Sequence, residues 1–365
     1  MIFQRPSNHL FTAFIVLVFL SGCGLFNSLG ENPKGDRLSA IEKLPNYTNG
    51  KFHNLDGDDS VKINGFKALN SMLNRRESVR PFQRLPFIKT DLKLLKVTAP
   101  TVVWFGHSSL LIKSTEGTIL IDPIFSNHAG PVPGMIKAFA GSKEYTADDM
   151  PDVDVLLISH DHYDHLDYRT VKKLRTRIKK VVVPIGVGSH FLHWGFDPNQ
   201  IIELNWEQST SLAGAIKITA TPAKHRSNRT LASDKTLWAS YVINVGGFQL
   251  FYSGDGGYGT HFKQIGKRYG PFDLALMECG QYSPNWPTHH MRPEETAQAA
   301  YDLQAKMVQP VHWGKFAESD HPWSEPVNLL LPAAKRLNLE VNVPQIGQPY
   351  TVGQPANKTV WWSFE

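Results

Sequence analysis

From Thr101 onward the apolar positions fall into short runs separated by glycine, proline and charged residues. TVVWF (101–105), SLLI (109–112) and GTILID (117–122) have the length and β-branched content of strands spaced closely enough for hairpins. VDVLLIS (153–159) is apolar almost without alternation, as a strand buried on both faces should be. KVVVPIG (180–186), AIKITATPA (215–223), WASYVINV (238–245) and FQLFYSGD (248–255) repeat the strand signal. Two stretches switch to helical spacing. In YRTVKKLRTRIKK (168–180), Val171, Leu174 and Ile178 share one face. PEETAQAAYDLQAK (293–306) is the second helix. Two strand–helix halves without an internal repeat predict an α/β chain folded as a four-layer αββα sandwich with an N-terminal extension.

The extension has three parts. Arg5 precedes the apolar stretch Leu10–Leu20, about half of the ~20 residues that span a bilayer, so it predicts the core of an export signal. Leu20-Ser21-Gly22-Cys23 resembles a bacterial lipobox, which implies a signal over 1–22 and a lipidated Cys23. Gly24 rather than aspartate follows, so the expectation is a lipid-anchored protein of the cell envelope, at the outer membrane and facing the periplasm. Residues 23–50 are polar and rich in Asn, Gly and Pro, and predict a tether. Residues 51–98 predict a cap with helical stretches on the domain at 99–365. The Gly/Pro-punctuated stretch 127–150 is an insertion before the VDVLLIS strand.

Composition narrows the partners. The chain has 365 residues, 41% hydrophobic and 19% charged, enough for one large core. The net charge of +5 is too small to argue for nucleic acid. With Cys23 acylated, Cys279 has no disulfide partner. It ends an apolar run and reads as a buried strand-end residue rather than a nucleophile. Oligomeric state is not legible.

The chemistry is concentrated in SHDHYDHLD (159–167), where His160, His162, Asp164 and His165 fall within six positions. Neutral imidazoles and a carboxylate this close are a transition-metal ligand set. They begin where a buried strand ends, the place where α/β folds put their sites. His160 and His162 alternate along an extended segment and can reach one ion, while Asp164 and His165 turn toward a second. His225, Asp255 and His312 each follow an apolar strand and are candidates for the remaining ligands.

HxHxDH after an apolar strand resembles the metallo-β-lactamase superfamily of metal-dependent hydrolases. WFGHSSLLI (104–112), LIDPIFS (120–126), SGDGGY (253–258) and VHWGKF (311–316) extend the likeness to one branch, similar to the N-acylphosphatidylethanolamine-hydrolysing phospholipases D. That resemblance implies two zinc ions, one on His160, His162 and His225, the other on Asp164, His165 and His312, with Asp255 between them. It implies a hydroxide bridging the metals as attacking group, Asp164 as proton acceptor, and His290 near the phosphate or leaving group. Asp122 is expected to hydrogen-bond a ligand histidine and His107 to face the site. Tyr282 and Trp286, in GQYSPNW (280–286), match the branch's active-site loop and are expected to line an acyl pocket. Asp161 stands where the eukaryotic lipase branch commonly has Asn. The implied substrate is an N-acylated ethanolamine phospholipid in the membrane that holds the enzyme, cleaved to N-acylethanolamine and phosphatidic acid. Hydrolysis of a lactone or a small phosphodiester at the same centre is the alternative enzyme, and an envelope protein with a structural metal site is the non-enzymatic one.

Overall fold

The computed structural model describes residues 26–57, 77–132, 134–212, 215–230, 232–355, 357 and 359–363. The export signal, Cys23 and residues 58–76 of the expected cap lie outside the described residues.

Among the described residues, fourteen strands form two mixed sheets. The first contains β1 (Thr101–Trp104), β2 (Leu110–Lys113), β3 (Thr118–Ile121), β4 (Val153–Leu157), β5 (Ile178–Pro184) and β6 (Ile201–Leu204). The second contains β7 (Ser209–Leu212), β8 (Ile216–Thr221), β9 (Ser240–Val245), β10 (Phe248–Tyr252), β11 (Leu274–Glu278), β12 (Met307–Val311) and β13 (Glu340–Val341). The last strand, β14 (Pro349–Thr351), returns to the first sheet and pairs antiparallel with β1. The orders are β6-β5-β4-β3-β2-β1-β14 and β7-β8-β9-β10-β11-β12-β13. In each sheet an antiparallel half built of hairpins joins a parallel half built of crossovers.

The residue pattern explains why the sheets stack. Along β1 to β4, Val102, Trp104, Leu110, Ile112, Ile119, Ile121, Val155 and Leu157 point to the inter-sheet core, where they meet Ile216, Ile218, Tyr241 and Ile243. The alternate positions Val103, Leu111, Leu120 and Leu156 point outward, under α2 (Tyr168–Leu174) and α3 (Gly188–His193). Both faces are therefore buried, which is why these runs read as unbroken apolar stretches. Phe251, Ala275 and Met277 face outward from the second sheet, under α4 (His261–Tyr269) and α5 (Pro293–Asp302). A helix over Glu325–Arg336 covers Cys279 and Ala297. The layers are αββα, as the pattern predicts.

Two expectations need correction. The helix expected over 168–180 stops at Leu174 and passes through a 3-10 turn into β5 at Ile178. Ile178, four residues after Leu174, is buried as the first residue of β5 rather than on a helical face, because the 3-10 turn at 175–177 intervenes. Residues 26–50 are not a free tether along their described length. The helix α1 (Gly35–Ile41) and the hairpin Tyr47–Thr48/Lys51–Phe52 bury Ile41, Tyr47 and Phe52 against Leu237 and Trp238. The segment is fixed further by Asn27 O to Trp194 Nε1 at 2.7 Å, Glu31 N to His190 Nδ1 at 3.0 Å and the Arg37–Glu203 ion pair. Of the expected cap, residues 77–98 contain one 3-10 turn, Glu77–Val79. The insertion at 127–150 contains a short hairpin, 128–129 with 136–137, and a 3-10 turn at 147–149.

Candidate metal centre

The SHDHYDHLD segment leaves β4 and crosses the open ends of both sheets. Ser159 N donates to Asp122 Oδ1 at 2.8 Å and Ser159 Oγ to Asp122 Oδ2 at 2.5 Å, which fixes the point where the strand ends. Across the seam, His107 N donates to Trp313 O at 2.7 Å and His312 N to His107 O at 3.0 Å. His107 and His312 both adopt left-handed backbone, at φ 53° and 67°. That conformation is uncommon for non-glycine residues and tends to persist where its surroundings enforce it. Here the two loops enforce one another, and both rings enter the space between the sheets.

Ligand-competent atoms converge there. His160, His162 and His225 form one compact group; Asp164, His165, His312 and His107 form a second. Asp255 belongs to groups with His160 and His165 and with His290 and His312, so it lies between the two. The seven residues named as ligands from the sequence are thus brought together, His160, His162 and His225 in one group and Asp164, His165 and His312 in the other. His107, expected to face the site, and His290, expected near the phosphate or leaving group, lie within the same clusters.

The hydrogen bonds orient the rings. His165 Nδ1 bonds Asp122 Oδ2 at 2.7 Å, so its Nε2 turns inward, 3.0 Å from Asp255 Oδ2 and 3.2 Å from Asp164 Oδ2. Ser159 Oγ lies 3.0 Å from His160 Nδ1, and His162 Nδ1 faces His225 Nε2 at 3.3 Å. Ser108 Oγ lies 3.2 Å from His312 Nδ1. Asp164 Oδ2 bonds His107 Nε2 at 2.9 Å, and His290 Nδ1 bonds Glu278 Oε1 at 2.6 Å. Asp161 holds the loop from behind by accepting from Thr236 Oγ1 at 2.8 Å and Asn228 N at 3.1 Å.

These residues fit a metal pair. His160 Nε2 and His312 Nε2 are buried with no hydrogen-bond partner among the described residues. Orphaned buried nitrogens are costly unless something binds them. Burial pushes His160, His225 and His312 well below the usual imidazole range, which favours the neutral, ligating form. Burial also opposes charge on His165, yet Asp255 and Asp164 overcome it and hold the imidazolium far above its ordinary range. Burial likewise pushes Asp255 up to about 7. Carboxylates that must borrow a proton or an imidazolium at this depth are asking for a cation.

Sequence reasoning missed several groups. Glu278 is fully buried, bonds His290 and accepts from Gly256 N; burial raises it well above the usual carboxyl range. Glu318 Oε2 lies 3.9 Å from His107 Nε2. Tyr252 donates to Asp122 Oδ2 at 2.5 Å. A lone acid closing the apolar run LALME was the available signal for Glu278. Tyr282 and Trp286 serve the loop itself. Tyr282 donates to Glu325 at 2.6 Å and stacks on His321, while Trp286 Nε1 bonds Gln281 O at 2.8 Å. Cys279 is buried, and burial pushes its thiol up, as suits an inert core cysteine.

Comparison with known proteins agrees with this centre. Residues 117–313 match the beta-lactamase superfamily domain. A metal-dependent hydrolase of Anaeromyxobacter is 30% identical over 258 residues, 68% of this chain and 85% of that protein. The N-acyl-phosphatidylethanolamine-hydrolyzing phospholipase D 1 of Caenorhabditis elegans is 31% identical over 230 residues, 58% of this chain and 63% of the worm protein. A metallo hydrolase from Ignicoccus hospitalis superposes with a TM-score of 0.56 at 22% identity, over 70% of this chain and 98% of its own.

Proposed function

We propose that this chain, which belongs to the metallo-β-lactamase superfamily of metal-dependent hydrolases, is a two-zinc phosphodiesterase of phospholipase D type. Its substrate would be N-acylphosphatidylethanolamine, released as N-acylethanolamine and phosphatidic acid. The observation that carries the reading is the pair of ligand groups joined by Asp255. Likeness to the worm phospholipase D supports the choice of substrate.

His160, His162 and His225 would hold one ion, Asp164, His165 and His312 the other, and Asp255 would touch both. When bound, such a pair ionises water at neutral pH and neutralises charge growing on a phosphoryl oxygen. Asp122 and Ser159 fix the rings of His165 and His160, so their Nε2 atoms point inward. Asp164, beside His107, is placed to take the proton of the attacking water. His290, anchored through Nδ1 to Glu278, has Nε2 left to hold a phosphoryl oxygen or protonate the leaving alkoxide. Lipidation at Cys23 would keep the enzyme in the membrane that contains its substrate.

Zinc-loaded protein incubated with N-acylphosphatidylethanolamine micelles should release both products, seen by mass spectrometry and abolished by chelation. A protein carrying two metals that releases neither has another substrate, and lactones and small phosphodiesters become the next to try.

A further inference from the structure

Arg229 has no part in the proposed reaction, yet it holds the ligand loop from behind. It is buried, and a single nitrogen, Nη1, donates to Asp161 O at 3.0 Å and to Leu166 O at 2.7 Å. Those two carbonyls flank the run that contains His162, Asp164 and His165. A guanidinium carries its donors in a rigid plane, so one side chain can keep both ends of a turn at a fixed separation. The same guanidinium lies over the rings of Tyr163 and Trp194, 4.5 and 5.0 Å from their centroids. Tyr163, inside the loop, donates its hydroxyl to Arg229 O at 2.7 Å. Buried cation–π contacts of this kind favour one placement of the rings.

His190, in α3, is the second hold. Glu31 N donates to its Nδ1 at 3.0 Å, so the ring proton of the neutral imidazole sits on Nε2. Nε2 faces Asp161 Oδ2 at 3.3 Å. Asp161 stands between His160 and His162 in the chain, and its carboxylate also takes Thr236 Oγ1 and Asn228 N. The backbone N–H of Glu31 therefore selects the tautomer in which His190 donates toward the ligand loop.

One stretch of the N-terminal segment reaches both holds. Arg229 Nε donates to Ser28 O at 2.9 Å, and Trp194 Nε1 donates to Asn27 O at 2.7 Å. Gly30 lies against the imidazole of His190 at φ 68°, and an added methyl would stand 2.3 Å from His190 Nδ1. The backbone approaches this closely, in a left-handed conformation, because the residue has no Cβ. Residues 27–31, whose composition signals a linker, are thus fitted to the back of the ligand loop through Arg229, Trp194 and His190.

We propose that Arg229 and His190 are positioning residues of the metal centre and that docking of residues 27–31 fixes them both, so that the N-terminal segment controls how tightly the ligand loop holds metal. This rests on the reading of the cluster as a metal pair, and not on which substrate is cleaved. With the segment undocked, His190 Nδ1 loses its donor and the ring is free to turn away from Asp161. Arg229 loses one of the three carbonyls that orient it. His160 and His162, on either side of Asp161, then lose their fixed approach, so the ion they share with His225 is the first to weaken.

The test compares Gly30→Ala, which drives a methyl into His190, with Gly35→Ala in the same segment. Gly35 is also left-handed, at φ 56°, but a methyl there meets nothing within 4 Å, so backbone strain is matched and the clash is not. Arg229→Lys keeps the charge and loses the fork. Metal-free protein is titrated with zinc against a chromophoric chelator, and the visible bands of the cobalt-loaded protein report the geometry of the ligands. Urea unfolding of the metal-free proteins separates loss of fold from loss of positioning. Outer partners of metal ligands are worth about 10–100-fold in affinity, so Arg229→Lys should weaken zinc by about tenfold or more and Gly30→Ala by roughly threefold or more. Both should alter the cobalt bands, whereas Gly35→Ala should stay within about twofold of the parent, because it touches none of these partners. Equal zinc affinity and equal cobalt bands in Gly30→Ala and Gly35→Ala overturn the inference, whatever Arg229→Lys shows, and leave the metal centre standing. A protein that binds no zinc in any form removes both. Selective weakening in Gly30→Ala, in a protein that cleaves no phospholipid, upholds the inference and refutes only the proposed substrate.

Discussion

Asp122 is the sharpest place to perturb the centre without touching a ligand. It follows β3 at φ 38° and receives Ser159 N at 2.8 Å, Ser159 Oγ at 2.5 Å, Tyr252 OH at 2.5 Å and His165 Nδ1 at 2.7 Å. Asp122→Asn is the informative change, because Asn tolerates left-handed backbone and keeps the shape. It removes the negative acceptor, and its one oxygen cannot serve both sets of donors. The amide N–H2 must face either Ser159 N–H or the group of Tyr252, Ser159 and His165. His165 then loses the partner that fixes its tautomer. Loss of such a partner costs about 10–100-fold in metal affinity, or about 1.4–2.8 kcal/mol. Competition against a chromophoric chelator measures it directly, with urea unfolding of the metal-free proteins as a check on the fold. Stepwise loss of one of the two ions, the one His165 holds, is the expected result. An unchanged affinity for both ions would refute the claim that Asp122 sets the His165 ring.

Other predictions address the rest of the assembly. Metal analysis after zinc-supplemented expression should find about two ions per chain, and Asp255→Ala should lose both and all hydrolysis; full activity in that variant would remove its shared role. Lys315 is buried, donates to Ile124 O at 2.7 Å, and burial pulls its ammonium down to about 7. Between that value and the ordinary lysine range the unfolded chain binds the extra proton, so this group makes stability rise with pH and is a penalty below 7. Lys315→Met should therefore flatten the stability profile from pH 7.5 to 9.5 by up to about 1.4 kcal/mol per pH unit, read by urea unfolding; parallel profiles would contradict it. At Gly257 an added methyl would lie 2.0 Å from Thr288 O, so Gly257→Ala should displace the loop carrying His290 and lower turnover with both metals retained. Cys23→Ser should move the protein from the membrane to the soluble fraction; unchanged fractionation would end the lipid-anchor reading.

Much of this was legible because two periodicities and one motif sit on the same strands. The inter-sheet and outward positions of β1 to β4 are both apolar, so the sequence marks the strands clearly but not which residue faces which layer. The seven ligand candidates follow strand ends, and strand ends are what the sandwich collects at one edge. What stayed hidden was distributed differently. Glu278, Glu318 and Tyr252 are single polar residues far from the motif in sequence, and only the packing of two sheets brings them to it. Residues 26–50 misled through composition. Asn, Gly and Pro signalled a linker, while the short helix α1 and one hairpin bury Ile41, Tyr47 and Phe52. So few apolar residues fall below what periodicity can register.

The position of the centre has a consequence for stability as well as chemistry. His160, His162, Asp164 and His165 follow β4 in the first sheet, whereas His225, Asp255 and His312 follow β8, β10 and β12 in the second. Each ligand group therefore draws on both sheets, and any ion bound there is a cross-link between them. Apart from metal, contacts across the seam at this edge include the His107–Trp313 and His312–His107 backbone bonds, Ala239 N to Ser159 O at 3.0 Å, Tyr252 OH to Asp122 Oδ2 at 2.5 Å, Tyr241 OH to Ile158 O at 2.9 Å, and Trp104 stacked on Trp313 at 5.5 Å. Those contacts must also restrain two left-handed residues and a set of crowded, partly charged side chains. A ligand that binds only the folded state adds stability as the logarithm of its saturation, about 4 kcal/mol at a thousandfold excess over Kd. With a native protein only about 5–15 kcal/mol more stable than its unfolded chain, that is a large share. The ligand-competent groups crowd buried imidazoles and carboxylates at this edge, so folding and metal loading should be coupled most tightly where the two sheets meet.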